Sequence, residues 1–392
     1  MQYNFDEKIE RYHSASEKWD AVENLFGNPE ILPMWVADMD FRSPLPVINA
    51  FKERAEHGVF GYTIRSDSYY DAIINWMSRR HHWHIKKEWI CYSPGVMPAI
   101  SFIIRSFSNL DDKILIQPPV YYPFAQAITK SGRKVINNPL RYENGKYSID
   151  FDDLREKLDS GVKIFILCNP HNPVGRVWTK EELTKLGEMC LERNVLVIAD
   201  EIHHDLIYKD FNHTPYASLS HEIAQHTIVC TSPSKSFNLA GLQTANMIIP
   251  NPELREQFKK ILEDHFLDFT NTFGVIATEK AYQFGEAWLD QCMKYIEENC
   301  YFLTSYLNQH IPKIKVVKPE ATYLVWLDFR ELGIDAKSFE KLMLEKAKVA
   351  FHEGYIFGQE GEGFTRMNIA CPRALLEEGL NRMKNALQDN HA

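Results

Sequence analysis

Short runs of apolar residues recur through the middle of the chain, each followed by a polar or amphipathic stretch. KILIQ (113–117) leads into PPVYYPFAQAITKSG, and KIFILC (163–168) into NPHNPVG and TKEELTKLGEMCLERN. VLVIAD (195–200) leads into EIHHD, and TIVCTS (227–232) into PSKSFNLAG. Apolar runs without polar alternation predict strands buried on both faces. Strands alternating with helices predict an α/β fold, a mostly parallel sheet of the seven-stranded type. Thr179, with Glu182 three residues on, has the pattern of a capping box.

The last hundred residues follow another rhythm. Helical stretches (about 286–310 and 336–347) alternate with strand-like KVVKP, YLVWLDF and FTRMNIA, and PRALLEEGLNRMKNAL closes the chain. This predicts a smaller α+β domain from 1–48 and 286–392, with PMWVADMDF as an N-terminal arm. Residues 49–285 form the large domain.

Composition narrows the function classes. Hydrophobic residues make up 45% and charged residues 25% of 392, which excludes a disordered or low-complexity chain. With 44 Lys+Arg against 53 Asp+Glu the net charge is −9, a poor basis for holding nucleic acid. Seven cysteines (Cys91, Cys168, Cys190, Cys230, Cys292, Cys300 and Cys371) include no CxxC pair. That argues against a disulfide framework or zinc ribbon and for a reducing compartment. MQYNFDEKIERYH has no apolar signal core, and runs such as 195–199 are too short to span a bilayer. The expectation is a cytoplasmic protein with no membrane or nucleic-acid partner.

The candidate chemistry sits just past the carboxyl ends of the predicted strands: Tyr121, Asn172, Asp200, His203, Ser232, Ser234 and Lys235. In open α/β sheets ligands bind at that rim. A desolvated Lys235 could form a Schiff base with a carbonyl, and Ser232 and Ser234 could bond phosphate oxygens. Asp200 could pair with a cationic ring nitrogen or cap the next turn. DEIHHD (200–205) also admits a metal reading, with Asp200 and His203 on one face, but no second ligand group at zinc spacing occurs, so no metal is expected. Pro94 and Gly95 open an apolar helical stretch whose N-terminus suits an anion. Asn172 could offer an amide to a phenolate or carboxylate, and Tyr121 could stack on a flat ligand. Arg366 is a bidentate partner for a carboxylate or a surface ion pair. Arg373 looks like part of a helix start. HHWH (81–84) has no i,i+4 spacing and is expected to be a solvated helix end with Trp83 turned inward.

PPVYY, NPHNPVG, ADEIHHD and SPSKSFNLAGL, in this order, resemble the fold type I pyridoxal-phosphate enzymes of the class I/II aminotransferase superfamily. PMWVADMDF, FGYT (60–63), CNPHNPVGR and GEGFTRMNIACPR resemble its MalY/PatB branch, the C–S β-lyases often called cystathionine β-lyase or cysteine desulfhydrase. The resemblance implies pyridoxal 5'-phosphate as cofactor. It implies that Lys235 holds the cofactor covalently and serves as catalytic base, that Asp200 keeps the ring nitrogen protonated, and that Tyr121 stacks on the ring. Asn172 and His203 would bond the ring oxygen. Ser232, Ser234 and the backbone of Val96 and Met97 would cradle the phosphate, and Asn172 and Arg366 would hold the substrate carboxylate. Tyr62 would reach the phosphate of a second copy, implying a homodimer with active sites at the interface.

The implied activity is α,β-elimination of L-cystathionine or related cysteine S-conjugates to a thiol, pyruvate and ammonia. An amino acid aminotransferase, and a regulatory protein that keeps the fold without catalysis, are the alternatives. Two positions depart from the pattern. His203 stands where many relatives have tyrosine, and Gln243 where many aminotransferases have an arginine for the phosphate.

Overall fold

The computed structural model describes residues 2–389. Seven strands build the large sheet: β1 (Ile90–Ser93), β2 (Lys113–Ile116), β3 (Lys134–Asn137), β4 (Val162–Cys168), β5 (Leu196–Asp200), β6 (Thr227–Thr231) and β7 (Ala245–Ile248). Their order is β1-β7-β6-β5-β4-β2-β3. Strand β7 runs against the direction of the other six, pairing antiparallel with both β1 and β6. The four strands expected from apolar runs are all present. The others escape that pattern for visible reasons. Strand β3 is a half-exposed edge. Strand β7 carries Asn246, whose side chain accepts a buried bond from the Tyr69 hydroxyl at 2.5 Å.

Apolar side chains explain why the central strands are continuous in sequence. Successive residues point to opposite faces. Phe165, Leu167, Val197, Ala199 and Val229 enter one core, while Ile164, Ile166, Ile198 and Ile228 enter a second. Helix Val96–Phe107 packs in the second core, and helix Lys180–Leu191 in the first. The latter starts at Thr179 with the expected reciprocal bonds to Glu182.

A second, antiparallel sheet has the order Lys315–Val317, Leu324–Asp328, Phe364–Asn368, His352–Glu353. Helices Glu286–His310 and Arg373–Asp389 flank this part of the chain. The N-terminal segment is tied to it. Leu32–Pro33 pairs in parallel with Val349–Ala350, and the Asn368 amide donates to the carbonyls of Val36 and Asp38 at 2.6 Å each.

The helix end at HHWH differs from expectation. Trp83 is buried and His82 and His84 are exposed, but His81 is also buried, with Nε2 at 2.8 Å from Asp205 Oδ1. Helix Asp67–His81 delivers this imidazole inward because its apolar face carries Tyr69, Ala72, Ile73, Trp76 and Met77.

Charge fixes the N-terminal arm. Asp40 accepts from Arg11 Nη1 (2.6 Å), Trp19 Nε1 (2.8 Å) and Lys18 Nζ (2.7 Å), and Lys18 is 1% exposed. Burial alone would raise the Asp40 carboxyl, but Lys18 and Arg11 outweigh it and hold it below its ordinary value. Asp40→Asn leaves the Lys18 charge buried with weaker compensation, and the expected loss of stability is about 3–5 kcal/mol. A folded carboxyl pKa below the unfolded one gives stability that is present above the unfolded value and lost as pH falls through the folded one. Urea unfolding should therefore show wild type weakening toward acid, with Asp40→Asn already weak at neutral pH and flatter below it.

Candidate active site

Strands β4, β5 and β6 lie side by side and parallel, with Cys168, Asp200 and Cys230 in register. The loops leaving their carboxyl ends therefore emerge together. They deliver Asn172, Asp200, His203, Ser234 and Lys235 to one cleft of about 570 Å³. Tyr121, from the loop after β2, and Val96 and Met97, at the start of helix Val96–Phe107, complete its wall with Ala37, Gln243, Thr244 and Leu267.

Lys235 stands in a four-residue helix, Pro233–Ser236, capped by the Ser232 side chain on the Ser234 N–H. Its Nζ donates to the Ala37 carbonyl at 2.7 Å, and the Tyr323 hydroxyl donates to the same oxygen at 2.9 Å. Burial pushes the amine down to about 8, against opposing pulls from Asp38 and Asp200. The group thus has a neutral, nucleophilic fraction near neutral pH.

Asp200 ends β5 and accepts one bond, from the Ile202 N–H at 3.1 Å. Burial drives its carboxyl up to about 7 despite that bond and Lys235. A carboxyl so poorly compensated suits a cationic partner in the cleft. His203 is buried, its Nδ1 lacks any partner, and burial followed by Lys235 and Arg366 holds it well below its ordinary value. Its neutral imidazole can give or take one hydrogen bond.

Arg366, on strand Phe364–Asn368, is 1% exposed. Nη1 donates to Asn172 Oδ1 at 2.9 Å, and Nη2 reaches the Trp35 carbonyl at 3.2 Å and His352 Nδ1 at 2.5 Å. Phe357 lies against the guanidinium at 4.9 Å. Among the described residues no carboxylate pairs with it. Burial lowers the guanidinium to about 10. A buried cation left without an anion is a place for a ligand carboxylate.

Other candidates sit apart. Ser232 spends its hydroxyl on the Thr244 carbonyl (2.7 Å) and lies outside the cleft lining, whereas Ser234 reaches it. Tyr62 is 94% exposed, its ring tilted by 40° against Phe269 with centroids 5.4 Å apart. Arg373 begins the last helix and bonds Asn299 Oδ1 at 2.7 Å. Ala37, Tyr323 and His352 carried no sequence signal, because a backbone carbonyl and two partners of other site residues are defined only by contact.

The donor set has a polarity that fits pyridoxal phosphate. Helix Val96–Phe107 has no side-chain cap, so its first N–H groups are available to a dianion, with Ser234 and Thr244 beside them. Asp200 stands ready for a ring cation, Lys235 for an aldehyde, and the orphaned His203 Nδ1 for a ring oxygen. The aromatic face of Tyr121 borders the same space.

A family model described as aminotransferase class I and II matches residues 31–383. Cystathionine beta-lyase PatB of Bacillus subtilis (strain 168) is 47% identical, over 98% of this chain and all of its own length. Protein MalY of Escherichia coli (strain K12) is 34% identical over 98% of this chain and 99% of its own. Among solved structures, cystalysin from Treponema denticola, which contains a pyridoxal 5'-phosphate cofactor, superposes with a TM-score of 0.96 at 40% identity, covering 100% of both chains. The PLP-bound C–S lyase from Staphylococcus hominis superposes with a TM-score of 0.92 at 36% identity, covering 99% of this chain and 98% of its own. With the match running through both sheets and every cleft loop, this chain belongs to the class I and II aminotransferase family.

Proposed function

We propose that this chain is a pyridoxal-phosphate-dependent C–S β-lyase that cleaves L-cystathionine or related cysteine S-conjugates to a thiol, pyruvate and ammonia. The observation that carries the reading is the unpaired, buried Arg366 guanidinium linked through Asn172 to the cleft of Lys235 and Asp200. It selects an α-amino acid, whose carboxylate and amine match the two groups. The lyase outcome is supported by the names of the relatives that cover nearly the whole chain.

When bound, pyridoxal phosphate supplies an electron sink for the carbanion at the substrate Cα. The N-terminal amides at Val96 and Met97, with Ser234, would hold the phosphate. Ser232 acts through Ser234, whose hydroxyl lies 2.8 Å away. Asp200 would keep a proton on the ring nitrogen, Tyr121 would pack against the ring, and Asn172 and His203 would bond the ring oxygen. Arg366 grips the substrate carboxylate and sets the Cα–H bond toward Lys235, a positioning effect. Lys235 Nζ takes the Cα proton and delivers a proton to the sulfur as the Cβ–S bond breaks. Water then hydrolyses the three-carbon remainder to pyruvate and ammonia.

The assembly we infer is a homodimer whose second copy brings Tyr62 to the phosphate. Exposed Phe60, Tyr62, Ile64, Phe266 and Phe269 support it, and Leu267 beside them lines the cleft. The division into 49–285 and a small domain of 1–48 with 286–392 fits the pairing of Leu32–Pro33 with Val349–Ala350. A place in the cytoplasm fits seven buried, unbridged cysteines, and no described helix is long and apolar enough to cross a membrane.

Incubation with L-cystathionine tests the reading: pyruvate should form with no added keto acid, and turnover that requires one makes the chain an aminotransferase instead. Lys235→Ala should lower kcat/KM by at least about 10²–10⁴-fold, and borohydride treatment of the cofactor-loaded wild type should give a pyridoxyl-modified peptide at position 235 by mass spectrometry. Arg366→Lys keeps the charge but loses the bidentate fork, and should raise KM roughly 10- to 100-fold with a smaller change in kcat.

A further inference from the structure

Next to the cleft, but outside its lining, lies a knot of five buried titratable side chains: His81, Glu201, His204, Asp205 and His213. They come from three stretches of sequence, the end of helix Asp67–His81, the segment after β5, and the loop leading to Tyr216. Among the described residues neither carboxylate pairs with a lysine or arginine; their ionic partners are histidines alone. Two buried carboxylates without a fixed cation are costly to hold.

The bonding within the knot is unequal. Asp205 is used up. Oδ1 accepts from His81 Nε2 (2.8 Å) and Trp76 Nε1 (3.0 Å), Oδ2 accepts from Ser236 Oγ (2.6 Å), and His204 Nε2 lies 3.2 Å from Oδ2. Three hydrogen bonds, with His204 close to the fourth site, occupy this carboxylate. Glu201 keeps room. Oε1 accepts from the Tyr216 N–H at 2.7 Å, and Oε2 faces only His213 Nε2 at 3.1 Å. His204 is fully buried, yet neither of its ring nitrogens makes an aligned hydrogen bond, and His213 Nδ1 has no partner either. His81 packs against His204 with ring centroids 4.3 Å apart and the rings tilted by 38°, which limits the rotation of the orphaned ring.

We propose that Glu201, His204 and His213 form a binding site for a transition-metal dication of the zinc class. One ligand atom from each lies within 4.8 Å of the other two. Two ligands of a tetrahedral zinc ion stand roughly 3.3 Å apart, and the 3.1 Å between His213 Nε2 and Glu201 Oε2 matches one such edge. His204 then supplies the third ligand through a ring nitrogen that makes no aligned hydrogen bond, and Asp205 Oδ2, 3.2 Å from its Nε2, stands close enough to orient the imidazole. Two imidazoles and a carboxylate select a borderline ion over Mg²⁺ or Ca²⁺, which take all-oxygen sites. A surface cleft of about 790 Å³ borders Asp205, beside the proposed ligands; its wall carries Asp290, Glu297 and Glu298 together with Arg80, Lys209 and Lys294. The bound ion would brace the turn that carries Lys235, since Asp205 holds Ser236.

The test uses the cofactor-loaded protein and reads metal, not turnover. Protein stripped with a chelator, dialysed against Zn²⁺ and desalted should retain about one ion per chain by plasma mass spectrometry, with a raised thermal midpoint. Glu201→Gln and His213→Gln should each lose that ion and the midpoint shift while keeping the bound cofactor's visible band. Asp205→Asn should weaken zinc binding roughly 10- to 100-fold. Retention no greater than in chelator-treated protein overturns the site, as does full retention in both ligand variants, which would place the zinc on surface histidines. If both variants fail to fold, cobalt in the wild type decides. Visible d–d bands of a tetrahedral nitrogen–oxygen site support the proposal, and a featureless or six-coordinate spectrum overturns it.

Discussion

The bond from Lys235 Nζ to the Ala37 carbonyl joins positions 198 residues apart and ties the N-terminal arm to the cleft. It holds a poorly solvated amine against the floor of the cleft, and it exists only if the N-terminal arm is in place. The arm is held in turn by the Arg11, Lys18 and Asp40 charges, by its pairing with Val349–Ala350, and by the Asn368 amide. Chemistry on the rim of the large sheet therefore depends on ion pairing some distance from it. The same arm supplies the Trp35 carbonyl that Arg366 uses, so one segment fixes both the amine and the guanidinium.

The cleft is electrostatically unfinished. Among the described residues Arg366 is a buried cation with no anion, and Asp200 is a buried carboxyl with one amide bond. A protein optimised only for stability would pair such groups or remove them; leaving them open stores a cost that a ligand of complementary charge relieves. An amino acid carboxylate answers the first and a protonated ring nitrogen the second. The site's selectivity rests on these two mismatches, and shape comes second.

His203 and Gln243 show how such a site absorbs changes. An imidazole at 203 cannot be a second cation, because burial and the neighbouring Lys235 and Arg366 keep it neutral, so it serves as a polar contact. Gln243 lines the cleft where an arginine would add charge, and more of an anion's stabilisation then falls on the uncapped helix N-terminus at Val96.

The strands β2, β4, β5 and β6 were legible because a strand buried on both faces has no polar alternation, and the residues that follow them could be named because that rim is where open sheets bind ligands. Strand β7 was not legible, since Asn246 breaks the apolar run and is satisfied by Tyr69, a partner far away in sequence. The burial of His81 and its meeting with His204 and His213 were equally hidden: no spacing rule links positions 81, 204 and 213. Sequence alone determined the sheet's central strands, the family likeness and which side chains could do chemistry, because these follow from local periodicity and short motifs. Only the tertiary structure decided which of them meet, which carbonyl faces Lys235, and which charges stay unpaired, because burial and partnership are properties of contacts between segments that the chain itself does not place side by side.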